Sequence, residues 1–178
     1  LFELYKSYGI VPSAIIGHSA GELAAFHISG AISLEDCVEF AYHRGLGQQK
    51  TNGLGNMLVI NKSYQELVDT VGESELLSKL EIACINDAST IVLAGSSVLI
   101  KEMNKVLDDK NIFNRIIRGN CPFHSSYQEI IKDEIIERSN KMKFNQPKIP
   151  LISTVLGKEV DTDNYTSEYW WLNVREKV

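Results

Sequence analysis

A predicted strand, a glycine turn and a predicted helix follow one another near the amino end of this 178-residue chain. The apolar run at 14–16 predicts a buried strand, and the helical pattern that begins at Ala20 ends at Gly30. Between them stands Gly-His-Ser-Ala-Gly-Glu, residues 17–22. Glycines on both sides of Ser19 remove side chains that would collide at a sharp bend, which points the serine hydroxyl into an open crevice. We expect Ser19 to have a strained backbone conformation there. The pattern therefore predicts a nucleophilic serine between a strand and a helix.

The chemistry around Ser19 requires an anion site and a base. The helix that follows aims backbone N–H groups at the turn, which makes the amide of Ala20 a candidate oxyanion donor. Of the four histidines, His124 is the best candidate for the base, because it follows a strand and a proline turn and precedes a predicted helix. We expect the Ser19 hydroxyl and a ring nitrogen of His124 to lie within hydrogen-bond reach.

Residues 56–119 alternate short apolar strands with helices. The predicted order is β-α-β-β-α-β, which is typical of a ferredoxin-like unit, and Asn86 belongs to the turn of the central hairpin. Residues 1–55 and 120–178 are predicted to form a larger α/β layer into which this unit is inserted. The fold class is therefore α/β, with two subdomains.

Two helix starts carry the sequence pattern of a capping box. Ser33 is followed three residues later by Asp36, and Ser126 is followed by Glu129. The second pair is predicted to open a helix that continues to about Met142, because its isoleucines repeat at helical spacing.

Composition excludes several classes of partner. A net charge of −5 lacks the basic footprint that a phosphate backbone requires, so nucleic acid is not an expected partner. The three cysteines are far apart, without the paired spacing of a zinc site or a disulfide framework, which favours a reducing, cytoplasmic compartment. No apolar run approaches the roughly 18 residues of a membrane span. The chain is predicted to be a globular domain without metal or membrane.

Six features occur in one collinear order along the chain: GHSAGE at 17–22, Arg44, Asn86, CPFHSS at 121–126, LISTVLG at 151–157 and YWWLNVREKV at 169–178. They resemble the malonyl/acyl-CoA:acyl carrier protein acyltransferase family, in particular the acyltransferase domains of polyketide and fatty-acid synthases. This resemblance implies an incomplete α/β-hydrolase-like large subdomain with an inserted ferredoxin-like small one.

The resemblance implies a role for each matching residue. Ser19 would form an acyl-enzyme ester, and His124 would act as general acid and base. Arg44 would pair with the free carboxylate of a malonyl group, while Phe123 would fill the space that an α-methyl branch needs. Asn86 matches a turn residue near the site. Malonyl-CoA and the phosphopantetheine of an acyl carrier protein would be the substrates, next to synthase domains such as a ketosynthase, with no bound cofactor.

This sequence also departs from the pattern of the family that it resembles. The family has an upstream G-Q-G loop whose glutamine supplies a second oxyanion contact, so we expect a chain truncated on its amino-terminal side. A backbone carbonyl within 173–176 would orient the histidine, and Lys177 stands where proline is frequent.

Two other functions stay open. A serine hydrolase such as a thioesterase would need an acidic residue between Ser19 and His124, and Asp87 and Asp108 lie in that interval. A non-catalytic remnant of a synthase is the second alternative.

Overall fold

The computed structural model describes all 178 residues. Turns and loops connect its α-helices, 3-10 helices and short strands. The α-helices are Phe2–Ser7 (α1), Gly21–Ser29 (α2), Leu34–Gln49 (α3), Tyr64–Val71 (α4), Glu75–Ser78 (α5), Ser97–Asp109 (α6), Lys132–Ser139 (α7) and Ser167–Arg175 (α8). The strands are Ile15–Gly17 (β1), Asn56–Ile60 (β2), Glu81–Asp87 (β3), Thr90–Gly95 (β4), Asn114–Ile116 (β5), Leu151–Ser153 (β6) and Lys158–Glu159 (β7). The 3-10 helices are Ser126–Ile131 and Thr162–Asn164. None of the helices combines the length and apolar character that a bilayer span requires.

Two compact units make up the chain. The first contains residues 1–44 and 134–173, and the second contains residues 45–133 and 174–178. The three dividing points fall inside α3, α7 and α8. The predicted insert lies wholly within the second unit.

The first unit contains a three-stranded sheet in the order β1-β6-β7. Strands β1 and β6 are parallel, and β6 and β7 are antiparallel. The prediction that residues 14–16 form a fully buried strand is wrong, because Ile16 is 65% exposed. Strand β1 has a single neighbour in the sheet, so it lacks the cover that a central strand receives.

An aromatic cluster forms much of the first unit's core and holds α8 in place. The fully buried ring of Phe26 on α2 lies 4.8 Å from Trp170, 5.1 Å from Tyr165 and 5.5 Å from Tyr169, measured between ring centroids. Phe40 on α3 lies 5.3 Å from Trp170. Rings at such distances add to the stability that burial alone provides. The cluster therefore fixes α8 against α2, which begins within the amino-terminal motif, and against α3.

The second unit contains an antiparallel sheet in the order β3-β4-β2-β5. Leu58 in the central strand β2 stands opposite Leu93 and Ile116, and buried residues of α6 such as Met103 complete the core. The elements follow the predicted β-α-β-β-α-β order, with the short helix α5 in addition.

The prediction that Asn86 lies in the hairpin turn is wrong. Asn86 is an exposed residue of β3, and the turn consists of Ala88 and Ser89. The carboxylate of Asp87 closes it by accepting hydrogen bonds from the Ser89 N–H at 2.7 Å and the Ser89 hydroxyl at 2.9 Å. Asp87 also pairs with Thr90 of β4, so β3 continues one residue beyond Asn86.

The two predicted capping boxes have different outcomes. At the start of α3, the Asp36 N–H donates to the Ser33 hydroxyl at 2.9 Å, so the cap is present. The box of Ser126 and Glu129 is wrong, because the Ser126 hydroxyl donates to the carboxylate of Glu81 at 2.6 Å instead. The chain forms a 3-10 helix there, and α7 begins six residues later.

Candidate functional site

Ser19 occupies a strained position between β1 and α2. Its φ of +54° lies in the left-handed region, which costs a non-glycine residue about 1–3 kcal/mol. This confirms the prediction of a strained serine at the turn. A Cβ at Gly17 would lie 2.5 Å from the backbone of Gly21 and Glu22, whereas a Cβ at Gly21 would meet open space. The expectation that both glycines avoid a collision is therefore correct for Gly17 only.

The turn presents the amide of Ala20 beside Ser19. The backbone hydrogen bonds of the turn begin at the next residue. The Gly21 N–H donates to the His18 carbonyl at 2.9 Å, and the Glu22 N–H donates to the Ser19 carbonyl at 3.1 Å. Ala20 is the exposed N-cap residue of α2, and its carbonyl accepts from the Leu23 N–H at 3.2 Å. Its N–H lies at the positive end of the helix dipole, where a developing oxyanion is favoured.

Glu22 is completely buried and is surrounded by hydrogen-bond donors. Its Oε1 accepts from the Thr154 N–H at 2.6 Å and the Thr154 hydroxyl at 3.0 Å. Its Oε2 accepts from the Tyr169 hydroxyl at 2.7 Å and the Asn173 amide at 2.8 Å. Burial, and then the charge of Glu22, raise the pKa of Tyr169. The four donors compensate the carboxylate for the loss of water.

Arg44 extends this network to the serine. Its side chain is 3% exposed, and its Nη1 donates to the Asn173 Oδ1 at 2.6 Å, while its Nη2 donates to the Ser19 Oγ at 3.5 Å. The Nε is buried without an acceptor. Burial lowers the pKa of Arg44 to about 10 against an opposing effect of Glu22, so the guanidinium is charged at neutral pH. A buried cation with donors to spare thus lies beside the serine hydroxyl.

His124 lies in the second unit and is also strained. Its φ is +54° and its exposure is 4%. The ring Nδ1 and the Glu176 carbonyl oxygen are 2.9 Å apart. A carbonyl only accepts, so Nδ1 carries the proton and Nε2 keeps the lone pair that a general base needs. The carbonyl belongs to the segment in which the resemblance implies such an acceptor.

Phe123 precedes His124 and is half-buried. It packs against an apolar cluster that includes Met57 and Ala83, and it lines a cavity of about 300 Å³ together with Cys121. The first unit thus brings together Ser19, Ala20 and Arg44, and the second brings together Phe123 and His124.

The sequence interpretation missed the side chains of Glu22 and Asn173. One signal was available for Glu22, because it precedes Phe26 by four residues and Ser29 by seven, a spacing that places all three on one helical face. A carboxylate on the buried face of a short helix requires partners. Asn173 offered no comparable signal, since its role depends on the packing of α8.

Comparisons with known proteins identify the family of the chain. The family described as "Acyl transferase domain" matches residues 1–178. Probable polyketide synthase 1 and probable polyketide synthase 23 of Dictyostelium discoideum are 41% and 40% identical to the whole chain, which spans 6% and 7% of their lengths. The chain therefore belongs to the acyl transferase domain family.

Solved structures show the same fold. The acyltransferase domain from module 8 of the salinomycin polyketide synthase matches with a TM-score of 0.90 and 26% identity, over 99% of this chain and 41% of that one. A loading acyltransferase from the avermectin polyketide synthase matches with a TM-score of 0.90 and 26% identity, over 98% of this chain and 56% of that one. The chain has the α/β fold of these acyltransferase domains.

Proposed function

We propose that this chain transfers a malonyl or related carboxylated acyl group from coenzyme A to the phosphopantetheine thiol of an acyl carrier protein, in polyketide or fatty-acid synthesis. The observation that carries the proposal is the buried, charged guanidinium of Arg44 at 3.5 Å from the Ser19 Oγ. A fixed cation beside a strained serine suits an acyl group that carries its own carboxylate.

Ser19 and His124 act in two half-reactions. In the first, His124 Nε2 takes the hydroxyl proton as Ser19 Oγ attacks the thioester carbonyl carbon. The oxyanion accepts from the Ala20 N–H, and the carbon–sulfur bond then breaks as coenzyme A leaves with the proton from His124. In the second, His124 takes the proton of the carrier thiol, whose sulfur attacks the ester, and Ser19 recovers its proton. No cofactor is consumed.

Arg44 selects the acyl group through the edge of its guanidinium that Nε and Nη2 form. Nη1 is engaged by Asn173, whereas Nε has no acceptor and Nη2 makes only the long contact with Ser19. Nε and Nη2 form one edge of the guanidinium plane, which is the geometry that a carboxylate binds with both oxygens. Phe123 is proposed to limit the volume at the α-carbon, so that malonyl is preferred to methylmalonyl. We assign no contact to Asn86 beyond its place in the family pattern.

The hydrogen bond of His124 favours transfer over a hydrolase triad. Its Nδ1 donates to a backbone carbonyl rather than to a carboxylate. Asp87 accepts from Ser89, and Asp108 accepts from the Asn114 amide at 2.8 Å, so both candidate acids serve local structure. A non-catalytic remnant would have no use for a serine and a histidine that are both strained.

We also assign the parts of the fold to subdomains. Residues 56–119 are proposed to be a ferredoxin-like small subdomain, and residues 1–55 and 120–178 part of an α/β-hydrolase-like large one. The strand order β3-β4-β2-β5 supports the first assignment, and the strand, turn and helix around Ser19 support the second.

The experiment follows the fate of the acyl group. The chain is incubated with labelled malonyl-CoA with and without a carrier protein bearing phosphopantetheine, and both carrier-bound label and free malonate are measured. Transfer to the carrier in excess of hydrolysis is expected, with the Ser19→Ala variant as the baseline. Free malonate as the main product would instead assign the chain to the hydrolases.

A further inference from the structure

The last five residues belong to the second unit and are held there by contacts on both sides of Glu176. At the end of the chain, the Val178 N–H donates to the Ala83 carbonyl at 3.0 Å, and its carbonyl accepts from the Ile85 N–H at 2.8 Å. These bonds attach the terminus to β3 as an added strand residue. They fix the chain on one side of the carbonyl that accepts from His124.

Arg175 fixes the chain on the other side of that carbonyl. Its Nε donates to the Glu129 Oε1 at 2.9 Å, and its Nη2 lies 3.2 Å from the Glu81 Oε2. The Arg175 side chain is 21% exposed, so water weakens these ion pairs less than it would at an open surface. A planar guanidinium that binds two carboxylates has a defined orientation, which an ammonium group would not impose.

Glu81 joins this clamp to the loop that carries the histidine. Its carboxylate accepts from the Ser126 N–H at 2.8 and 3.0 Å and from the Ser126 hydroxyl at 2.6 Å. Ser126 lies two residues after His124, and Arg175 lies one residue before Glu176. A single carboxylate therefore connects the neighbour of the imidazole with the neighbour of its carbonyl acceptor.

We propose that Arg175 is a positioning residue that, through Glu81, keeps the imidazole of His124 in its Nδ1–H tautomer. The inference rests on the proposed function, because the tautomer matters only if Nε2 is the base. His124 holds a left-handed backbone conformation that its surroundings must impose. Without the clamp, Ser126 and Glu176 can move independently, the Nδ1 bond lengthens and the ring samples the other tautomer.

The test uses ring ¹⁵N NMR of the full 178-residue chain labelled at histidine, at a pH where the imidazole is neutral. A His124→Gln variant identifies the signal. The wild type is expected to show a protonated Nδ1 and an unprotonated Nε2. In Arg175→Met, the two ring shifts are expected to move toward each other, with a partial return in Arg175→Lys. Lys79→Met, which removes the exposed ion pair with Glu75 in the same unit, is the matched control and should leave the shifts unchanged.

Acylation of Ser19 by malonyl-CoA gives a second readout. In Arg175→Met we expect a fall of roughly tenfold to a hundredfold, below the ~10⁴-fold that follows when the orienting group of a serine-protease histidine is removed. Unchanged ring shifts in a folded Arg175→Met variant would overturn the proposal, whatever the acylation rate. If Arg175→Met does not fold, Glu81→Gln breaks the same link and must move the shifts in the same direction. If the ring shifts move in Arg175→Met but the wild type never loads Ser19, the proposed function is refuted and the positioning role stands.

Discussion

The turn of Ser19 and the loop of His124 carry the same backbone strain but are held in different ways. Both residues have a φ of +54°. At Ser19, the supports are Gly17 and Glu22 of the same six-residue motif, and Glu22 is completely buried. At His124, the supports are Glu81 and Glu176, which are 45 residues from Ser126 and 52 residues from His124, respectively. One strained residue is thus secured by a completely buried network around Glu22, and the other by a backbone carbonyl and partly exposed ion pairs.

This difference predicts whether a substitution lowers the stability of the fold or changes the orientation of the side chain. Removing one partner from a buried charged network leaves the others desolvated and unpaired, which strongly destabilises the fold. Removing one partner from a half-exposed ion pair allows water to replace it, so the fold survives while the orientation is lost. The Ser19 turn should therefore respond to substitution by unfolding, and the His124 loop by misalignment.

Replacing the two supporting glutamates gives the largest expected contrast. Glu22→Ala should lower the free energy of unfolding by about 3–5 kcal/mol, because Arg44, Asn173 and Tyr169 lose a buried carboxylate. Glu81→Ala should lower it by about 1 kcal/mol or less. Urea unfolding of both variants measures the contrast, and Glu102→Ala on the exposed face of α6 is the control. Equal losses at the two glutamates would break the comparison.

The glycines of the motif provide the next contrast. Gly17→Ala should cost about 3 kcal/mol, since the added Cβ would lie 2.5 Å from backbone atoms that cannot move without the helix. Gly21→Ala should change stability by no more than about 1 kcal/mol, because its Cβ would meet open space in a helical residue. Thermal unfolding compares the pair. An unchanged unfolding temperature in Gly17→Ala would contradict the close approach of β1 and α2.

Arg44 tests whether the buried network serves recognition. Arg44→Ala should reduce malonyl loading relative to acetyl loading by roughly 10- to 150-fold, which corresponds to the ~1.5–3 kcal/mol of a charge-assisted hydrogen bond. Any structural damage affects both acyl groups alike, so acetyl-CoA is the internal control. The measurement is the ratio of kcat/KM values for acylation. Parallel losses for the two substrates would show that Arg44 has no contact with the carboxylate.

Phe123 gives the smallest expected effect. Phe123→Ser should improve methylmalonyl loading relative to malonyl by about 1 kcal/mol, the lower end of what one methyl-sized difference in a pocket provides. Competition between the two coenzyme A thioesters measures the ratio, with Phe113→Ser at an exposed site of the same unit as the control. An unchanged ratio would assign the selective wall to another residue.

Sequence patterns predicted the elements whose evidence is local. Helix α4, Tyr64–Val71, is the first helix of the predicted β-α-β-β-α-β order, and in the structure Ser63 and Glu66 form a capping box at its start. Helix α8 was not predicted, since Tyr169, Trp170 and Trp171 are all buried and leave no polar face to reveal a helical period.

The features of the site likewise differ in whether local sequence evidence predicts them. The strain at Ser19 follows from neighbouring glycines, so the motif alone predicts it. The carbonyl of Glu176 was expected only from the family resemblance, because a backbone acceptor leaves no trace in side-chain pattern. The diversion of Ser126 from its own helix to Glu81 was not foreseeable, since a local cap and a distant carboxylate compete for the same hydroxyl and tertiary packing decides between them.

Peptide-mapping mass spectrometry tests the central claim, that Ser19 carries the acyl group and His124 activates it. The chain is quenched in acid after exposure to malonyl-CoA, digested and searched for an ester on the peptide that contains residues 17–22. The account predicts a malonyl ester on Ser19, its loss in Ser19→Ala and a much slower appearance in His124→Ala. A malonyl group on any other residue, or loading of Ser19 at the wild-type rate in His124→Ala, would contradict it.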